Sequence, residues 1–172
     1  AVTFNNLSNL HETELGDQFE MICENNKLVL LDCPGESVVT FTTGFACRVA
    51  DLVVVPMRTS TSDENALEFN LLPIIESIID DDELKKDAFF IIPTFVHPRA
   101  KEENIINYID EVTPESVLCL DKVMYNRAIF ENFTREGRNL HEYAQTVKNN
   151  KQAYNQAIKA IEDIENIVKE FV

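Results

Sequence analysis

Apolar positions along this chain fall into two patterns, short unbroken runs and longer stretches with helical spacing. Leu28–Leu31 is the first run, in KLVLLDCPGES, and it predicts a strand over 27–32 buried on both faces. Asp32 closes it, and Pro34 and Gly35 open a loop straight afterwards. ADLVVVPM, residues 50–57, predicts a second buried strand, and AFFIIPTF, residues 88–95, a third. Pro93 is expected near the end of that third strand, because proline cannot donate to a ladder. A short fourth strand is expected over 116–120.

Between the runs the period changes to that of a helix. Leu15, Phe19, Ile22 and Cys23 mark one over 12–24, and a short helix over 38–48 follows the first strand. Ser62 or Asp63 is expected to cap a long helix through Ile79 with Leu67, Leu71, Ile74, Ile75 and Ile78 on one face. Further helices are expected over 101–112 and over 128–136, the latter closed by Gly137. A long amphipathic helix over 145–171 is expected to turn Ala153, Ala157, Ile161, Ile164 and Val168 inward. Strands alternating with helices predict an α/β fold, a doubly wound and mostly parallel sheet flanked by helices, within a single domain over 1–172.

Composition narrows the function classes. The 172 residues are 45% hydrophobic and 26% charged, ordinary for a soluble domain with a substantial core. No apolar run approaches the roughly 20 residues of a membrane-spanning helix, so no membrane partner is expected. The net charge of −15 repels nucleic acid at long range. The basic residues Arg127, Arg135, Arg138, Lys148 and Lys151 read as a solvated helix face rather than a phosphate patch. Four scattered cysteines with no CxxC pair predict free thiols and a cytoplasmic protein.

Asp32 is the leading candidate for chemistry. The carboxyl end of a central parallel strand is where open α/β sheets bind ligands, and an acid there suits a magnesium ion, a water or a phosphoryl group. The plainer alternative is that Asp32 caps the following helix. Cys33 beside it would need a base to act as a nucleophile, and no spacing among His11, His97 and His141 identifies one. Cys33 therefore reads as a small buried residue at a strand end, and His141 as solvent-facing. A signalling receiver domain also ends a strand with an acid, but FFIIPTF lacks the lysine such a domain needs.

Taken in order, KLVLLDCPGES, ADLVVVPMRTSTSDENALEF, FFIIPTFVHPRAKEENIINYI and YNRAIFENFTREGRNLHEY resemble motifs of the ParA/MinD-type P-loop ATPases. The likeness spans roughly residues 27–143. It implies a P-loop NTPase-like fold, with ATP and Mg²⁺ as cofactors in the intact family member. It places Asp32 near the metal and the attacking water, and makes Pro34 and Gly35 the switch that responds to the γ-phosphate. Thr94 and Phe95, with Tyr125 and Asn126, would lie near the adenine. His97 stands where the family often has Asp, and Tyr125 where it often has Pro.

The family's phosphate loop, with its Gly-Lys-Ser/Thr ending, is absent: of Gly16, Gly35, Gly44 and Gly137, none is followed by lysine. The N-terminal βαβ unit, about 30 residues or more, does not fit into the residues before Lys27. Either the chain is part of a longer protein or it is a degenerate relative. The resemblance implies part of an ATPase acting in plasmid or chromosome partitioning or cargo positioning by ATP-dependent dimerisation, hydrolysing ATP only with an upstream P-loop. The alternative is a nucleotide-free scaffold on the same fold, working through a homodimer or a protein partner.

Overall fold

Each apolar run that finds a neighbouring strand becomes one, and one run does not. The computed structural model describes residues 12–33, 41–82, 85, 87–135 and 137–171. The chain divides into two compact units, residues 1–50 and 51–172.

In the larger unit β1 (Val53–Met57), β2 (Phe89–Pro93) and β3 (Leu118–Cys119) form a parallel sheet in the order β1-β2-β3. Val53 pairs with Phe89 and Met57 with Pro93, while Phe90 pairs with Leu118. Pro93 is the last residue of β2, where its missing N–H costs no ladder bond. The fourth expected strand shrinks to the two residues of β3.

Helices flank the sheet. Thr61–Asp81 is one helical run, α3 (Thr61–Ala66), a π turn (Leu67–Leu71) and α4 (Leu72–Asp81). The π turn has a local cause. Pro73 has no N–H to donate, and the N–H of Leu72 reaches back five residues to the Leu67 carbonyl. Leu67, Ile75 and Ile78 are buried along this run, as their spacing predicts. The cap is Ser60 rather than Ser62 or Asp63: its hydroxyl accepts from the Asp63 N–H, which makes Asp63 the third residue of the helix.

Next come α5 (Glu102–Val112), α6 (Ile129–Arg135), α7 (Leu140–Thr146) and α8 (Lys151–Val168), which ends in a 3₁₀ turn (Lys169–Phe171). Gly137 follows α6 at φ +63°, the left-handed conformation that glycine adopts without steric cost. The expected helix over 145–171 breaks instead. Thr146 ends α7, and Asn150 starts α8 by accepting from the Ala153 N–H. The inward stripe shifts accordingly to Ala157, Ala160 and Ile167, while Ile164 and Val168 are exposed. Ala157 and Ala160 pack with Ile129, Leu140, Tyr143 and Ala144, joining α6, α7 and α8.

Side chains alternate across β2, so both faces are covered. Ile92 packs with Leu120 and Ile167, and the Phe90 ring meets Phe171 edge-on at 5.2 Å. Phe89 and Ile91, on the other face, are fully buried.

The smaller unit holds α1 (Glu12–Asn25) and α2 (Phe41–Val49), joined by an edge-on contact of Phe19 and Phe45 at 5.8 Å. Residues 38–40 of the expected second helix lie outside the described residues. The run at 27–32 is not a strand. Among the described residues no ladder includes it, Leu28 is 77% exposed and Leu30 85%. Hydrophobicity favours burial, but a strand also needs a partner's N–H and C=O groups, and among the described residues none is supplied. Cys33 is likewise exposed, not buried at a strand end. Among the described residues no helix is long and apolar enough to cross a membrane.

Candidate ligand site at the carboxyl edge of the sheet

Parallel strands end at one edge, so the loops that leave β1 and β2 emerge side by side. The Thr94 N–H donates to the Met57 carbonyl at 2.8 Å and ties the two loop starts together. A cleft of about 440 Å³ opens there, lined by Arg58, Ser60, Thr94, Phe95, His97 and Ile105 among others.

The β1 loop is a rigid turn built on one carboxylate. Asp63 Oδ2 accepts from the Arg58 backbone N–H at 2.9 Å and from its Nε at 3.1 Å, and Oδ1 accepts from Nη2 at 2.9 Å. The Ser60 hydroxyl donates to Oδ1 at 3.0 Å. These donors, the Arg58 side chain foremost, hold the Asp63 carboxyl down to about 2, although partial burial opposes them. Two N–H groups meeting two carboxylate oxygens also fix the guanidinium in orientation.

The β2 loop presents Phe95, 67% exposed and at φ +55°, a left-handed conformation that a bulky side chain adopts only under strain. The Arg58 guanidinium carbon lies 6.0 Å from its ring centroid. His97 Nδ1 accepts from the Arg99 backbone N–H at 3.1 Å, so the proton of the neutral ring sits on Nε2.

A third loop joins this edge. Val96 and Tyr125 form a parallel bridge, with the Val96 N–H donating to Met124 and the Asn126 N–H to Val96. The Tyr125 hydroxyl donates to Glu102 Oε1, and Arg127 stacks at 5.1 Å over the Tyr125 ring. Arg127 Nε and Nη2 both donate to Asp163 Oδ2 at 2.7 Å, tying the loop to α8. Desolvation, reinforced by Glu102 and Asp163, pushes the Tyr125 phenol up to about 12.

Thr94, Phe95, Tyr125 and Asn126 are thus brought to one edge. Asp32 is an exposed residue of the smaller unit, in the segment expected to be a strand. Pro34 and Gly35 lie outside the described residues. Cys33, though exposed, has its thiol pushed up, by partial desolvation first and the Asp32 charge second. That opposes the thiolate a nucleophile needs. His141 is exposed, as its sequence context predicts.

Sequence reasoning passed over Arg58 and Ser60, and took up His97 only as a possible base for Cys33 and as a departure from the family pattern. A signal existed: Ser60 and Asp63 form an S-x-x-D capping pattern immediately past a strand end. The described residues do not by themselves complete a magnesium–triphosphate site. Among the described residues no three His, Cys, Asp or Glu side chains gather to hold a metal, and the sequence offers no lysine-bearing glycine loop for the phosphates. No family model matches the chain, and neither the curated proteins nor the solved structures include a match.

Proposed function

We propose that this chain is part of a ParA/MinD-type ATPase, contributing the acid of the nucleotide switch and the edge against which the base rests. In this reading the three-stranded sheet belongs to a doubly wound, P-loop NTPase-like sheet. The reading requires a phosphate loop that residues 1–172 do not contain, and ATP-dependent dimerisation serves the partitioning or positioning of a cargo. The observation that carries it is the carboxyl-edge cleft, where Thr94 and Phe95 adjoin the Tyr125–Asn126 loop. Ligands of open α/β sheets bind at that edge. Asp32, Pro34 and Gly35 take the switch role by resemblance alone, and Asp32 would stand near the metal.

Calorimetric titration with ATP–Mg²⁺ tests the reading. Saturable binding, weakened at least tenfold in Asp32→Ala, supports it. A chain that stays unbound at millimolar ATP–Mg²⁺ refutes nucleotide recognition by these residues.

The second reading is a scaffold that binds a protein partner or a second copy of itself. Leu28, Leu30, Leu52 and Val54 favour it, because each is an exposed apolar side chain in or beside an apolar run. Sedimentation equilibrium showing nucleotide-independent self-association, with no ATP binding, would select it.

A further inference from the structure

The lining of the carboxyl-edge cleft runs against the composition of the chain. The protein has 30 acidic and 15 basic side chains, yet among the described residues lining this cleft none is acidic. Arg58, Thr94 and His97 instead bring hydrogen-bond donors to it. The carboxylate these residues do contact, Asp63, is occupied by Arg58 and Ser60. That side-on pairing engages Nε and Nη2 of Arg58 and leaves Nη1 outside it, still a double donor on a guanidinium that is held in place.

Phe95 completes the arrangement. A left-handed φ is a strained choice for a phenylalanine, and at 67% exposure the side chain recovers little by burial. Strain kept at an exposed aromatic ring beside a cleft marks a surface for stacking. The ring gives a flat apolar face and Arg58 a fixed cation next to it. A volume of about 440 Å³ accommodates a small molecule. Against a net charge of −15 a ligand of low charge is favoured over a polyanion.

We infer that this cleft binds a flat aromatic ring carrying a single phosphate or carboxylate group, with Phe95 as the platform for the ring and Arg58 as the anchor for the anion. The inference deepens the nucleotide reading and rests on it in placing a ring at this edge. It differs in assigning the anion to Arg58 rather than to a triphosphate cradle.

The test is titration of the full chain with AMP, followed by NMR shifts of the Val96 and Ile105 methyl groups, with adenosine, inorganic phosphate and ATP–Mg²⁺ as separate arms. AMP should bind at least tenfold more tightly than adenosine or phosphate alone. Arg58→Gln should weaken AMP at least tenfold while leaving adenosine within twofold, and Arg58→Lys serves if the glutamine variant fails to fold. Phe95→Gly should weaken both AMP and adenosine, with a melting temperature equal to or above that of the unsubstituted chain. AMP binding indifferent to both substitutions, or ATP–Mg²⁺ binding without AMP binding, overturns this inference and leaves the nucleotide reading standing. Binding of neither nucleotide overturns both.

Discussion

Phe89–Pro93 and Leu28–Leu31 are both strand-length runs of apolar residues, and they meet opposite ends in this molecule. The first is clamped between β1 and β3, with Phe89 and Ile91 fully buried. The second lies in no described ladder and exposes Leu28 and Leu30 to water. Their chemistry differs little. What differs is the supply of neighbours: β2 has a strand on each side, paired along its whole length with β1 and at Phe90 and Ile91 with β3. Transfer free energy can collect apolar side chains, but only a paired edge satisfies the backbone that collecting them removes from water.

Mutation tests that contrast most strongly. Ile91→Ala should cost about 3–4 kcal/mol, the lost transfer energy plus the cavity left behind. Leu30→Ala should cost less than about 0.5 kcal/mol, as for other exposed positions. Urea denaturation read at the two sites checks the pair, and comparable losses would mean that Leu30 is buried in solution. A smaller effect sharpens the comparison by asking whether a polar tie in the larger unit behaves like core packing. Asp163→Ala leaves Arg127 half-buried without its carboxylate and should cost about 2 kcal/mol by thermal denaturation, less than a fully buried pair would. A loss indistinguishable from zero would show that water replaces the carboxylate.

The smallest effect concerns pH. The Tyr125 phenol is raised from 10.0 to about 12 in the folded chain, so folding favours its neutral form. That contribution is fully present below pH 10 and fades as pH rises toward 12. Absorbance titration of tyrosinate should show a late step near pH 12 that Tyr125→Phe removes. If that step survives the substitution, it does not belong to Tyr125.

The sequence disclosed the elements whose signal is local. β1 and β2 sit on their apolar runs, Pro93 ends β2, and α5 follows its periodicity closely. The misreadings came where the deciding partner is remote or small. Nothing within Leu28–Leu31 reports whether another strand will lie beside it. The break between α7 and α8 turns on the single carboxamide of Asn150, which a continuing Ala/Ile stripe conceals. The candidate site divides in the same way. Thr94, Phe95, Tyr125 and Asn126 could be drawn to one edge by family likeness. Arg58 stood out only once Asp63 was seen to hold it, since a lone arginine after a strand carries no sign of its orientation.

The edge-on contact of Phe90 with Phe171 sets a constraint on the order of assembly. Closing a loop of roughly eighty residues costs on the order of 4 kcal/mol in chain entropy, more than one pair of aromatic rings returns. The loop is shortened beforehand when Phe90 pairs with Leu118 and when α7 packs on α8. Chain entropy therefore favours making the ring contact late, once the strands are in register, as the completion of a face of β2 that Ile92 and Leu120 also cover.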